Sequence, residues 1–332
     1  MSGRCRIPSL SLVLCLPALL SGCVLNNELA RVHLERGDAA LAREDLNTAL
    51  VEFRAAVKLH PELSEAHTQL GLAYKKHGDL GQAAESLESA VRLDPFDFTA
   101  MFELGEVYRL LNKVSQAVRA YVLACELKPT EFEPRFRLAS SYHRAGDLDR
   151  AIDSYHKALE IDPQSAFGWS NLGAVYDTKG EPYEAIRAYK RSLECDSSQA
   201  IVLVNLATVY LNQERFATAR RTLDTAIRMS PGLSVAHERL GYCQWREQQL
   251  DDAIASYREA LRLNAKNSRA YAGLGVVRMT QYLNDPDRTV LRDEAVESWH
   301  HSLELDPEQP RLRSLIEKYR APTKRPMFDI DQ

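Results

Sequence analysis

The residues able to do chemistry in this chain are few and scattered. Cys23 follows Leu20-Ser21-Gly22 at the end of an apolar stretch, while Cys125, Cys195 and Cys243 stand about fifty to seventy residues apart. A thiolate can serve as nucleophile or metal ligand, but cysteine metal sites and disulfide frameworks show close, repeated spacings. Three lone thiols read as small buried residues instead. His300 and His301 are adjacent, so on a helix they point about 100° apart and do not easily share a metal. They read as solvated rim residues. A Gly-rich phosphate loop, a His-Glu-x-x-His pair, a Cys-x-x-Cys pair and a nucleophile elbow are all missing from the sequence. The expectation is a non-enzyme with no catalytic residue, no metal, no cofactor and no small-molecule substrate.

The elements that would position any site come from a repeat. Units starting at residues 30, 64, 98, 132, 166, 200, 234 and 268 share a period of 34. Their eighth position is always small: Gly37, Gly71, Gly105, Ala139, Gly173, Ala207, Gly241, Gly275. The seventh is Leu in every unit but the first, which has Arg36. The twentieth is Ala from Ala49 to Ala253, with Ala295 matching after an eight-residue insertion. The twenty-fourth is large: Phe53, Leu87, Tyr121, Tyr155, Tyr189, Leu223, Tyr257, Trp299. Small residues let two helices approach while the large ones fill the space between them. Gly78, Gly146, Gly180 and Asn112 fall where a first helix must end, and all accept the left-handed cap. Asp79 and Asp147 suit the N-cap of the second helix, and Pro182 its first turn.

This pattern resembles the tetratricopeptide repeat family over residues 30–309. Unit 166–199 carries most of the family pattern in Trp169, Leu172, Gly173, Tyr176, Ala185 and Tyr189. The resemblance implies an all-α fold, a right-handed α-α superhelix of eight 34-residue hairpins. A capping helix is expected over 310–320, where Leu312, Leu315, Ile316 and Tyr319 share a face. A flexible tail is expected over 321–332, and a longer turn where the insertion places Asp285-Pro286-Asp287.

The N-terminus reads separately. Arg4 and Arg6 precede an apolar core of roughly eleven positions, the length of a signal-peptide core and short of the about twenty a spanning helix needs. Leu20-Ser21-Gly22-Cys23 resembles the bacterial lipoprotein box, which implies a cleaved signal peptide over 1–22, lipidation at Cys23 and a tether over 23–29. Val24 stands where enteric lipoproteins retained in the inner membrane carry Asp. The resemblance therefore implies a lipid anchor in the outer membrane of a bacterial envelope, facing the periplasm. The net charge of −4 offers no basic excess for a phosphate backbone, so nucleic acid is not an expected partner.

The family resemblance also assigns an inner face to the first helices. In the middle units it holds Phe102, Arg109, Phe136, His143, Arg144, Phe167, Asn171, Ile201, Val204, Asn205, Leu211, Arg239 and Trp245. Asn171 and Asn205 share one slot, a repeat apart. Asparagines in this slot form a peptide-binding ladder in the superhelix of the O-linked N-acetylglucosamine transferase, and an amide can both donate to and accept from a peptide backbone. The expected partners are proteins, bound as extended segments. The nearest known type is the pilotin-like lipoprotein that assists type IV pilus secretin assembly, and organisation of cell-wall hydrolases is the alternative.

Overall fold

The computed structural model describes residues 15–320, with side chains from Leu25 onward. Helices alone make up the regular structure of these residues. They fall into two compact units, one ending at Pro163 and one starting at Gln164. In the first, α1 (Cys15–Ala42) pairs with α2 (Leu46–Leu59), and α3 (Ser64–His77) with α4 (Leu80–Leu93). The hairpins α5 (Phe98–Leu110) with α6 (Val114–Leu127) and α7 (Phe132–Arg144) with α8 (Leu148–Ile161) complete it. The second unit pairs α9 (Ala166–Lys179) with α10 (Pro182–Cys195), and α11 (Ala200–Asn212) with α12 (Phe216–Met229). It continues with α13 (Ser234–Arg246) and α14 (Leu250–Leu263), then α15 (Ser268–Asn284) and α16 (Thr289–Leu305), and closes on α17 (Pro310–Tyr319).

Each hairpin is locked by the same pair of positions. A Cβ added to Gly105 would lie 2.7 Å from the Tyr121 ring, and one on Gly173 would lie 2.9 Å from Tyr189. The eighth-position residue is therefore small because the twenty-fourth-position side chain lies against its backbone. Tyr121, Tyr155, Leu87 and Leu223 are all fully buried this way. A second lock joins the start of the first helix to the end of the second. Ser64 Oγ donates to the Ala90 carbonyl at 3.0 Å, and Ser234 Oγ to Ala260 at 2.8 Å. In the hairpin α9–α10 the direction is reversed, with Ser192 Oγ donating to the Ala166 carbonyl at 2.8 Å.

The turns repeat as strictly. α3 ends because Gly78 takes the left-handed conformation at φ 97°, and its N–H meets the Tyr74 and Lys75 carbonyls. Glu44, Asn112, Gly146, Gly180, Glu214 and Gln248 take the same conformation. These seven are the only residues with positive φ among the described ones, and each stands one period from the next. Asp147 caps α8 through the Arg150 N–H, whereas Asp79 makes no cap to α4 and instead pairs with His77 at 2.8 Å.

One expectation is corrected and two gain detail. The insertion does lengthen the turn, which spans 285–288 against two or three residues in the other hairpins of this unit, but most of the added length goes into α15 and α16, which each run 17 residues against 13 or 14. Tyr282 thus falls inside α15, so the last hairpin has no left-handed cap. Residues 23–29, expected as the tether, are helical and belong to α1. Cys125 and Cys243 are buried, but Cys195 is only half-buried at the end of α10. The expected signal peptide before Cys15 and the tail over 321–332 lie outside the described residues, as does the side chain of Cys23. Among the described residues, no helix is long and apolar enough to cross a membrane.

Candidate functional site

Within each unit the first helices of successive hairpins touch one another, α3 to α5 in one and α9 to α11 to α13 to α15 in the other. The side chains assigned to the inner face lie on these helices, and the two units use them differently.

In the first unit the face is largely self-satisfied. Phe102 stacks on Phe98 and leans on the Tyr121 ring with centroids 5.9 Å apart. Phe136 repeats this with Phe132 and Tyr155. Both phenylalanines are half-buried packing groups. Arg109 donates to Glu106 at 2.8 Å, Arg137 lies 3.3 Å from the same carboxylate, and the Tyr121 hydroxyl donates to it at 2.5 Å. Glu106, 8% exposed, is the hub. Burial pushes its carboxyl up, but the bonds from Arg109 and Tyr121 and the charge of Arg137 outweigh that and hold it below the ordinary carboxylate value. Arg144 reaches Asn112 at 2.8 Å. His143 is half-buried, and desolvation lowers its pKa.

The second unit leaves its face open. Phe167 is 71% exposed and Ile201 51% exposed, one repeat apart on α9 and α11. Asn171 spends one amide hydrogen on the Phe167 carbonyl at 2.8 Å, inside its own helix. Asn205 makes no side-chain hydrogen bond among the described residues and is half-buried. Val204 is corrected: at 2% exposure it belongs to the core with Leu206 and Tyr210, and Leu211 is buried likewise. Trp245 is half-buried, with its indole N–H donating to Thr280 Oγ1 at 3.0 Å. Arg239 places Nε 3.7 Å from Glu238, too long for a hydrogen bond. Glu238 is 6% exposed. Burial raises its pKa, and the nearby Arg239 and Arg269 only partly offset this.

Sequence reasoning missed Glu106 and Glu238. An acidic residue on a repeat's inner helix carries the same signature whether solvated or buried, and only the neighbours decide. His301 pairs with Glu304 at 3.2 Å on the exposed side of α16. Among the described residues, no three His, Cys, Asp or Glu side chains gather as a metal site would require.

What these faces present is surface for another protein: paired apolar side chains, amides and half-engaged arginines on a rigid helical frame. That defines a helical-repeat interaction scaffold. The chain belongs to the tetratricopeptide repeat family, whose profiles match residues 20–95, 68–132, 139–180, 168–199 and 204–280. No curated protein sequence matches it. Among solved structures it is similar to MamA, at 26% identity and a TM-score of 0.50 over 52% of this chain and 94% of that one. A tetratricopeptide repeat protein from Parabacteroides merdae shares the fold at 17% identity, with a TM-score of 0.62 over 78% of this chain and 99% of that one. The APC/C hetero-tetramer Cut9-Hcn1 shares it at 17% identity, with a TM-score of 0.59 over 93% of this chain and 64% of that one.

Proposed function

We propose that this chain is a lipid-anchored scaffold of the bacterial envelope. It is held through Cys23 in the outer membrane facing the periplasm, and it gathers partner proteins during assembly of an envelope complex. The reading rests on one juxtaposition. Leu20-Ser21-Gly22-Cys23 closes a short apolar core and is followed at once by a chain consisting almost wholly of repeats. Two acyl chains already give stable anchoring, and the repeats supply the binding surface. The kind of machine that fits is the secretin ring of a type IV pilus. In the second unit, Phe167 and Ile201 take apolar side chains of an extended segment, while Asn171 and Asn205 hold its backbone.

The test is acyl labelling of the parent chain and of Cys23→Ser. The parent takes up label and partitions with outer-membrane fractions. The variant takes up none and is released, with unchanged helical content. Membrane association and processing without any lipid label would refute the anchor. Affinity capture of the parent from solubilised envelopes then reads the machine: secretin or pilus components support the assembly role, and wall hydrolases in their place overturn it.

A further inference from the structure

The last two full repeats of the second unit form an open cavity of about 250 Å³ that the repeat pattern does not call for. Its opening has a simple cause. The slot that holds Asn171, Asn205 and Arg239 in the three preceding first helices holds Gly273 in α15. A Cβ at Gly273 would overlap the Tyr257 ring and crowd its hydroxyl, so the Tyr257 phenol occupies the space that a side chain takes elsewhere. Tyr242, Trp245 and Val276 form the walls, and Glu238, Tyr257 and Arg269 supply the polar groups.

Two of those polar groups are available to an occupant. Glu238 has a side chain 8% exposed and makes no hydrogen bond among the described residues, with its closest cation, Arg239 Nε, 3.7 Å away. Tyr257 is 2% exposed, and its hydroxyl makes no hydrogen bond among the described residues. Neither group is sealed away from the cavity it lines, and a polar group with so little exposed surface gains from a partner that enters beside it. The walls are fixed rather than loose. The Trp245 indole is tied to Thr280, its ring lies 5.7 Å from that of Tyr242, and the Tyr242 hydroxyl accepts from Arg246 at 3.1 Å.

The charges select the occupant. A cation entering beside Glu238 would meet the guanidinium groups of Arg239 and Arg269, which already face that carboxylate. An anion would meet Glu238 itself among aromatic walls. A neutral donor on a flat apolar body suffers neither penalty, and the chain shows the arrangement in its other unit, where the Tyr121 phenol donates to buried Glu106 at 2.5 Å. We propose that this cavity takes a tyrosine side chain from a partner protein, its ring against Trp245 and Tyr242 and its hydroxyl donating to Glu238. The inference deepens the scaffold reading and rests on it for the origin of the tyrosine.

The test titrates N-acetyl-tyrosinamide, N-acetyl-phenylalaninamide and N-acetyl-lysinamide into the full chain in detergent solution. The indole N–H signals are followed by NMR, with Trp245 assigned from Trp245→Phe. The tyrosine amide shifts the Trp245 signal saturably and binds about tenfold tighter than the phenylalanine amide, as one hydrogen bond to a charged acceptor allows. The lysine amide leaves the signal unmoved. Glu238→Leu removes the preference for tyrosine over phenylalanine, Glu238→Gln keeps part of it, and Ala272→Leu blocks both aromatic amides. Circular dichroism and the Trp169 signal stay unchanged in all three variants. Equal binding of tyrosine and phenylalanine amides, preference for the lysine amide, or a Trp245 response that survives Ala272→Leu would each overturn the proposal. These titrations read the cavity alone and acyl labelling reads the anchor alone, so either can fail without the other.

Discussion

Arg144 donates from Nη2 to the Asn112 side-chain oxygen at 2.8 Å, and three repeats later Arg246 makes the same reach to Glu214 at 3.3 Å. Both acceptors sit on the left-handed residue that closes the preceding first helix, at φ 59° and 57°. The arginine of one hairpin thus holds the turn of the hairpin before it. Two substitutions separate the turn from the bond. Asn112→Gly gives up the acceptor but relaxes the backbone, whereas Asn112→Ala gives up both and costs about 1 kcal/mol more. Hydrogen exchange of the α5–α6 turn should rank parent, then Gly, then Ala in protection.

Gln248 takes the same conformation at φ 63° with an exposed side chain. Gln248→Gly should stabilise the α13–α14 hairpin by about 0.5–1 kcal/mol. Slower exchange confined to that hairpin is the expected reading.

The packing lock predicts the opposite sign. Gly173→Ala drives a methyl to 2.9 Å from the Tyr189 ring and should cost about 1–3 kcal/mol by overpacking. Leu172→Ala, beside it at 1% exposure, should cost about 2–5 kcal/mol by leaving a cavity. Because contacts run between neighbours, both should loosen α9 and α10 and leave α1 unchanged, as site-resolved exchange can check.

Glu106 and Glu238 should give two hairpins opposite responses to acid. The lowered pKa of Glu106 means its stabilisation is present above the ordinary value of 4.5 and lost as pH falls below it. The raised pKa of Glu238 means its burial is unfavourable at neutral pH and eases as pH falls toward 4.5. Comparing each parent hairpin with its Glu→Gln variant cancels the other carboxylates. Between pH 7 and 4.5 the α13–α14 hairpin should gain protection relative to Glu238→Gln, and below that α5–α6 should lose it relative to Glu106→Gln.

The two asparagines should not contribute equally to a bound segment. Asn205 makes no side-chain hydrogen bond among the described residues, while Asn171 already donates to Phe167. With a peptide selected by display against the full chain, Asn205→Ala should weaken binding by about 1–3 kcal/mol and Asn171→Ala by less, measured by calorimetry.

The hairpins were legible in the sequence because each repeat solves one packing problem with one pair of positions, and a Gly or Ala facing a large side chain every 34 residues leaves few alternatives. The turns were only half legible. Gly and Asn announce a left-handed residue, but Glu44, Glu214 and Gln248 adopt it with nothing in their chemistry to mark them. The geometry of the neighbouring helices imposes that conformation. The inner face was hardest to read. Phe102 and Phe167 look alike as letters, yet one stacks between rings and the other stands open, because Phe98 and Tyr121 surround the first whereas Phe167 is left 71% exposed.

All three tryptophans, Trp169, Trp245 and Trp299, lie in the unit that starts at Gln164. Tryptophan emission is therefore an optical channel for that half alone, with Trp299, buried and bonded to the Ala272 carbonyl at 3.2 Å, its most sheltered reporter. Circular dichroism sums over both halves. A melt recorded on both channels compares the two halves of the molecule without a label or a truncation, and the gap between the curves is the cooperativity lost between them.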